Sequence, residues 1–252
     1  MSNDRHRGSG RTGLARALSK LGVCSRSQAW TQIEAGRVRV NGSVVRDPER
    51  PVDLHRDRVE VDGQAARAEA RVYLALNKPR GLVTTASDEK GRATVFKCLA
   101  PAALPFVSPV GRLDQASEGL LLFTNDTAWA AQITDPANHL PKTYHVQIDR
   151  VADEALAGRI EHGRKVEDDW LAARRVRVLR RGGRNSWLEI VLDEGRNRHI
   201  RRLLAALDVS VLRLVRVAIG PLPLGNLAKG TFRFLSDDEV KSLAVPTRPW
   251  SG

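Results

Sequence analysis

Two cysteines in 252 residues, Cys24 and Cys98, are too few and too scattered for a disulfide framework or a zinc site. A reducing cytoplasm is therefore the expected location. No apolar run approaches the roughly eighteen residues of a membrane span, so no membrane partner is expected. The opening stretch MSNDRHRGSGRT has no apolar core, which argues against a secretory signal. Residues 1–11 read instead as a flexible basic tail. Neither GxxxxGK(S/T) nor GxGxxG occurs, and the six histidines show no ligand spacing with cysteine or acids. No cofactor and no metal is expected, so any chemistry falls to side chains.

What the chain has in excess is positive charge, +12 net. A polyanion gains from releasing counterions onto such a surface, but distribution decides more than the total. Residues 1–46 hold nine Lys/Arg against two acids, and further clusters stand at Arg174–Arg184 and at Arg196, Arg198, Arg201 and Arg202. Such clustering points to a polyanion partner.

Local patterns give an α+β chain. LARALSKLG reads as a helix stopped by Gly22, and Ser25 with Gln28 forms a capping box for a second helix carrying Ala29, Trp30 and Ile33. RVRVNGSVV alternates around Asn41-Gly42, a strong hairpin signal. Residues 12–63 thus form a small module of two helices plus a hairpin, with Arg16, Lys20, Arg26, Arg37 and Arg39 as candidate contacts to a polyanion backbone. QAARAEA, residues 64–70, reads as a linker. A larger domain follows over 71–245, and 246–252 reads as a tail. In that domain KTYHVQID and SWLEIVLDEG are alternating strands, and Asp153 caps a helix that Gly163 closes. NRHIRRLLAAL places Ile200, Leu203, Leu204 and Leu207 on one helical face with Asn197 as cap, and Ser236 with Glu239 caps a last helix. Irregular alternation of strands and helices favours a mixed, mainly antiparallel sheet over a doubly wound one.

One stretch raises a chemical question. In GRLDQASEGLLLFTND, Arg112, Asp114 and Glu118 precede an apolar block, Leu120 to Phe123. A turn accounts for a loop aspartate in most proteins, and Glu118 reads as a surface charge. No paired carboxylates, nucleophile elbow or acid cluster for metals competes with Asp114 for a catalytic role.

ARALSKLGVCSRSQAWTQIEAGRVRVNG resembles the S4 RNA-binding domain, which grips structured RNA. GRLDQASEGLLLFTND resembles the signature of pseudouridine synthases, in the branch that modifies ribosomal RNA and often carries an N-terminal S4 domain. NKPRG (77–81), KTYHV (142–146), EGRNRHIRRLL (194–204) and VRVAIGPLPLGNLAKGTFRFL (215–235) resemble that branch's other blocks in the same order. The resemblance spans about residues 12–240. It implies isomerisation of a flipped-out uridine to pseudouridine without a cofactor, with Asp114 catalytic as nucleophile or base. It further implies that Tyr144 packs against the target base, that Arg201 pairs with the aspartate, and that Arg112 contacts or replaces the flipped nucleotide. Lys142, Arg196, Arg198 and His199 are implied as RNA contacts, with Arg202 solvated one step around the helix. The chain departs from the family's common wording at Thr127, often glycine, and at His199, often glutamine. Ribosomal RNA is the expected partner, 23S favoured slightly over 16S, for a protein expected to be a monomer. The alternative is a non-catalytic RNA-binding ribosome-assembly factor on the same scaffold.

Overall fold

A computed structural model describes residues 11–86, 88 and 90–244. The expected tails lie outside these residues, apart from Arg11. The chain forms two units.

The first runs to Val72 and includes the segments Leu104–Ser108 and Asn125–Thr127. It contains β1 (Thr12–Gly13), α1 (Leu14–Lys20), α2 (Arg26–Glu34), β2 (Val38–Val40), β3 (Ser43–Val45), β4 (Pro51–Val52), β5 (Val59–Val61) and β6 (Gln64–Ala65). Leu14, Leu18, Ile33, Val38 and Val40 meet in its core. The Ser25–Gln28 capping box is formed in both directions. Asn41 and Gly42 both take positive φ, 53° and 83°, the pair that a tight hairpin with native twist demands. One expectation is corrected. Gln64–Ala65 pairs with β5 as the last strand of the order β3-β2-β5-β6, so the expected linker begins inside the sheet. Trp30 lies one step around α2 from the buried Ala29 and Ile33; it is 39% exposed, and its indole nitrogen donates to Glu34 at 2.8 Å.

The second unit contains β7 (Tyr73–Lys78), β8 (Ser108–Val110), β9 (Glu118–Thr124), α3 (Thr127–Thr134), β10 (Lys142–Ile148), α4 (Glu154–His162), β11 (Arg164–Val166) and β12 (Asp169–Leu171). After these come β13 (Arg175–Arg181), β14 (Ser186–Leu192), α5 (His199–Ala205), β15 (Val211–Ile219), β16 (Leu222–Pro223), β17 (Phe232–Phe234) and α6 (Asp237–Ala244). A nine-stranded sheet runs β13-β14-β10-β15-β9-β7-β17, with β16 on β15 and β8 on β9. β9 and β15 pair in parallel, whereas β10 pairs antiparallel with both β14 and β15.

The apolar block of β9 is buried on both faces. Leu120 and Leu122 join Ala75, Trp129, Ile133 and Leu243 in one cluster, and Phe123 meets Phe96 edge-on at 5.7 Å. The parallel pairing depends on Gly119, whose φ is +100° and whose missing Cβ would stand 2.2 Å from the Arg216 carbonyl oxygen. Only glycine admits that approach. Asp153 caps α4 through the Leu156 amide, and the Ser236–Glu239 box caps α6. α5 differs from expectation: its cap position is Arg198, in the left-handed region at φ 47°, and no side chain caps it. No helix among the described residues is long and apolar enough to cross a membrane.

Candidate active site

The site is built from the loop between β8 and β9, which the chain holds from beneath by its backbone. Lys78 ends β7 with its side chain fully buried, and its ammonium donates to the carbonyls of Pro79 (3.2 Å), Asp114 (3.1 Å) and Ser117 (2.8 Å). Thr84 bonds both backbone groups of Leu113, and the Gly81 amide donates to the Gln115 carbonyl at 2.8 Å. Arg201 donates to the Ala116 carbonyl at 3.3 Å. Every residue from Leu113 to Ser117 therefore has its backbone fixed by a partner on another segment or by a turn. Burial pushes the pKa of the Lys78 ammonium down to about 8, against the opposing charges of Asp114 and Glu118.

The Asp114 carboxylate itself accepts no hydrogen bond and joins no ion pair among the described residues, so the residue is held in place through its main chain. It lines a cavity of about 660 Å³, within the ~300–1,000 Å³ of ligand pockets. Arg112, Lys142, Tyr144, Arg196, Arg198, His199 and Arg201 line the same cavity. Arg112 and Asp114 flank the buried Leu113, as an extended segment requires. Tyr144 is 8% exposed on the inward face of β10, opposite Ile190 of β14 and Arg216 of β15. Arg16, Lys20, Arg26, Arg37 and Arg39 belong to the first unit.

Several expected roles change in detail. Arg201 forms no ion pair with Asp114 within 4.0 Å; its guanidinium turns to the carbonyls of Ala116 and Val211, which bury it. Burial and the charge of Arg198 press its pKa down while Asp114 opposes them, and a guanidinium stays charged throughout. His199 is not an exposed contact: it opens the first turn of α5 towards the sheet, is 3% exposed, and has the Glu194 carboxylate 3.6 Å from Nδ1. Burial lowers its pKa, which favours the neutral ring. Arg196 is held by Glu194 at 2.8 Å and Asp169 at 2.6 Å. Arg202, expected to be solvated, binds Asp169 and Glu167, each at 2.9 Å. Glu118 is no surface charge, because β9 buries it and Arg213 and Lys229 clamp its carboxylate. Burial pushes that carboxyl up, yet the two cations outweigh burial and leave it below its ordinary range.

Three site residues carry no signal in the sequence strong enough to assign them. Lys78 belongs to the NKPRG block, where nothing local gives it a role, and Ser117 and Arg216 look like ordinary strand residues and strand neighbours. Ser117 Oγ, Arg201 Nε and Arg216 Nη2 are buried and form no hydrogen bond among the described residues, and all three belong to residues of this cavity wall. An unpaired buried polar atom costs ~1–3 kcal/mol.

The family model for RNA pseudouridylate synthase matches residues 72–206, and that for the S4 domain matches residues 12–59. An uncharacterised RNA pseudouridine synthase of Aquifex aeolicus (strain VF5) is 39% identical over 90% of this chain and 91% of its own length. The ribosomal large subunit pseudouridine synthase B of Bacillus subtilis (strain 168) is 34% identical over 91% of this chain and 94% of its own. A crystal structure of a pseudouridylate synthase superposes with a TM-score of 0.65 at 27% identity, covering 92% of this chain and 99% of that one. With an S4 domain ahead of a mixed, mainly antiparallel catalytic sheet, this chain belongs to the RNA pseudouridine synthase family, whose enzymes isomerise uridine in RNA.

Proposed function

We propose that this enzyme acts on ribosomal RNA, in the large subunit, and that Asp114 is its catalytic carboxylate. The observation that carries the assignment is a carboxylate without a hydrogen bond or ion pair among the described residues, on a backbone-locked loop, lining a cavity that Tyr144 and Arg201 also line. The large-subunit reading draws its support from the name of the Bacillus subtilis relative.

Breaking N1–C1′ sends the bonding pair onto the uracil, and rejoining through C5 followed by proton transfer from C5 to N1 yields an isomer of the starting nucleotide. Asp114 serves either by attacking C1′ or by taking the 2′ proton and returning it. No redox partner and no external group enters this balance. The uridine must leave its stack, at a cost of a few kcal/mol, before the carboxylate reaches the sugar. Tyr144 offers the ring for the extruded base, a contact worth ~1–3 kcal/mol. Arg112, which lines the same cavity, contacts the flipped nucleotide's phosphate or fills its vacated place in this reading.

Mapping pseudouridines in ribosomal RNA from cells with and without the gene tests this reading. One 23S site should disappear and return with the wild-type gene but not with Asp114→Asn. Disappearance of a site in 16S or transfer RNA instead would refute the large-subunit assignment.

The first unit supplies affinity in this reading. Arg16, Lys20 and Arg26 are exposed and make no ion pair among the described residues, whereas Arg37 is bound to Asp62 and Arg39 to the Gly42 carbonyl. Replacing the three free cations by glutamine should flatten the log–log salt dependence of RNA-fragment binding by about 0.7–0.9 for each phosphate no longer neutralised. Arg37→Gln should change it less, and equal slopes for the triple variant and wild type would exclude this face from the RNA.

A further inference from the structure

Beyond the carboxylate, the cavity has a second charged feature. Lys142 opens β10 with its side chain half-buried, and its ammonium has neither a hydrogen bond nor an ion pair among the described residues. Tyr144 follows two residues later on the same face of the strand. Across the β10–β15 pairing, Tyr144 stands opposite Arg216, which is 6% exposed. Among the described residues the Arg216 guanidinium makes one hydrogen bond, Nε to the Leu120 carbonyl at 2.7 Å, and its buried Nη2 makes none. The two cations feel each other. Burial is the main cause that lowers the Lys142 pKa, the charge of Arg216 is the next, and Asp193 opposes both.

Two cations in one half-buried wall repel each other, and negative charge gained between them relieves that cost. The reaction generates such charge beside Tyr144. When N1–C1′ breaks, the electron pair leaves with the base, and the detached uracil carries a negative charge spread over N1, O2 and O4. That holds whether Asp114 bonds to C1′ or removes the 2′ proton. The charge is lost again when C5 bonds to C1′ and the C5 proton passes to N1. Groups that interact with the base mainly in this interval accelerate the reaction instead of merely tightening binding.

We propose that Lys142 and Arg216 are catalytic residues that flank the base resting on Tyr144 and stabilise the detached uracil as an anion. The inference rests on the assignment of Asp114 as the catalytic carboxylate. Its competitor is a Lys142 that grips an RNA phosphate, which would strengthen binding of substrate and transition state alike.

The two are separated by single-turnover cleavage of N1–C1′ at saturating RNA, measured as loss of the starting nucleoside in nuclease digests. Wild type, Lys142→Met, Lys142→Arg and Arg216→Lys would be compared on one RNA fragment with uridine or 5-fluorouridine at the target. 5-Fluorouracil is the more acidic base, so its anion needs less help. Removing one such charge donor should slow the uridine reaction about 100-fold in Lys142→Met, with a clearly smaller factor on 5-fluorouridine, unchanged RNA affinity, and partial recovery in Lys142→Arg. Arg216→Lys, which keeps a cation at the position, should show the same substrate dependence at smaller amplitude. An equal factor on both bases, or a defect confined to affinity, would overturn the proposal while leaving Asp114 untouched. Full activity of Asp114→Asn on uridine would instead remove the reading on which it rests.

Discussion

Asp114→Asn is expected to slow single-turnover pseudouridine formation by about 10,000-fold or more, the scale of losing a nucleophile or general base. The fold should tolerate it. The carboxylate accepts no hydrogen bond among the described residues, and the loop is positioned through the main chain of Leu113 to Ser117. A carboxamide of nearly the same size therefore breaks no existing bond, and the unfolding free energy should stay within about 0.5 kcal/mol of wild type. RNA affinity should also hold, because the cations of the cavity wall and of the first unit remain. The measurement is pseudouridine formation on a ribosomal RNA fragment with enzyme in excess, alongside binding and thermal unfolding. A rate within tenfold of wild type, from a protein that is folded and bound, would remove Asp114 from the chemistry.

Local signals in the sequence are the reliable ones. The Ser25–Gln28 and Ser236–Glu239 boxes, the Asn41-Gly42 hairpin and the Asp153 cap all depend on residues three or fewer positions apart, and each is present. The grouping of Arg112, Asp114, Tyr144 and Arg201 at one cavity follows family motifs and not any spacing rule. Long-range partners are what a linear reading misses. Glu118 looks exposed beside a polar loop until Arg213 and Lys229, about a hundred residues later, are known to meet it. Arg202 looks solvated until the β11–β12 turn brings Glu167 and Asp169 to it. Part of the arginine cluster at 174–184 is likewise neutralised by distant acids, Arg174 by Asp193, Arg177 by Glu189 and Arg181 by Glu154. Counting charges along a chain cannot reveal such pairs, because they are set by tertiary register. The same reason hides Lys78, a lysine at the end of an apolar strand whose three acceptors come from its own neighbour and from a loop beyond residue 113.

Lys78→Met should cost the loop that carries Asp114 its main anchor. Three carbonyls would lose a charge-assisted donor, each worth ~1–3 kcal/mol when left buried and unpaired. Removing a buried ammonium returns part of that loss. A net destabilisation of about 2–4 kcal/mol is expected, with a large fall in single-turnover rate from a displaced Asp114. The pH dependence separates this anchor from a generic core residue. With a folded pKa of about 8 against roughly 10.4 when unfolded, the folded protein binds fewer protons on Lys78 between those values. The penalty for a charged Lys78 is thus fully present below pH 8, and stability from this group rises as pH climbs towards 10.4. Activity should move the other way. A neutral amine has two N–H donors for three carbonyls, so the loop loses a bond and its positive neighbour as pH passes 8. Wild type should therefore show an alkaline limb near pH 8 in single-turnover rate that the residual activity of Lys78→Met lacks, and superimposable profiles between pH 7 and 9 would refute the anchoring role.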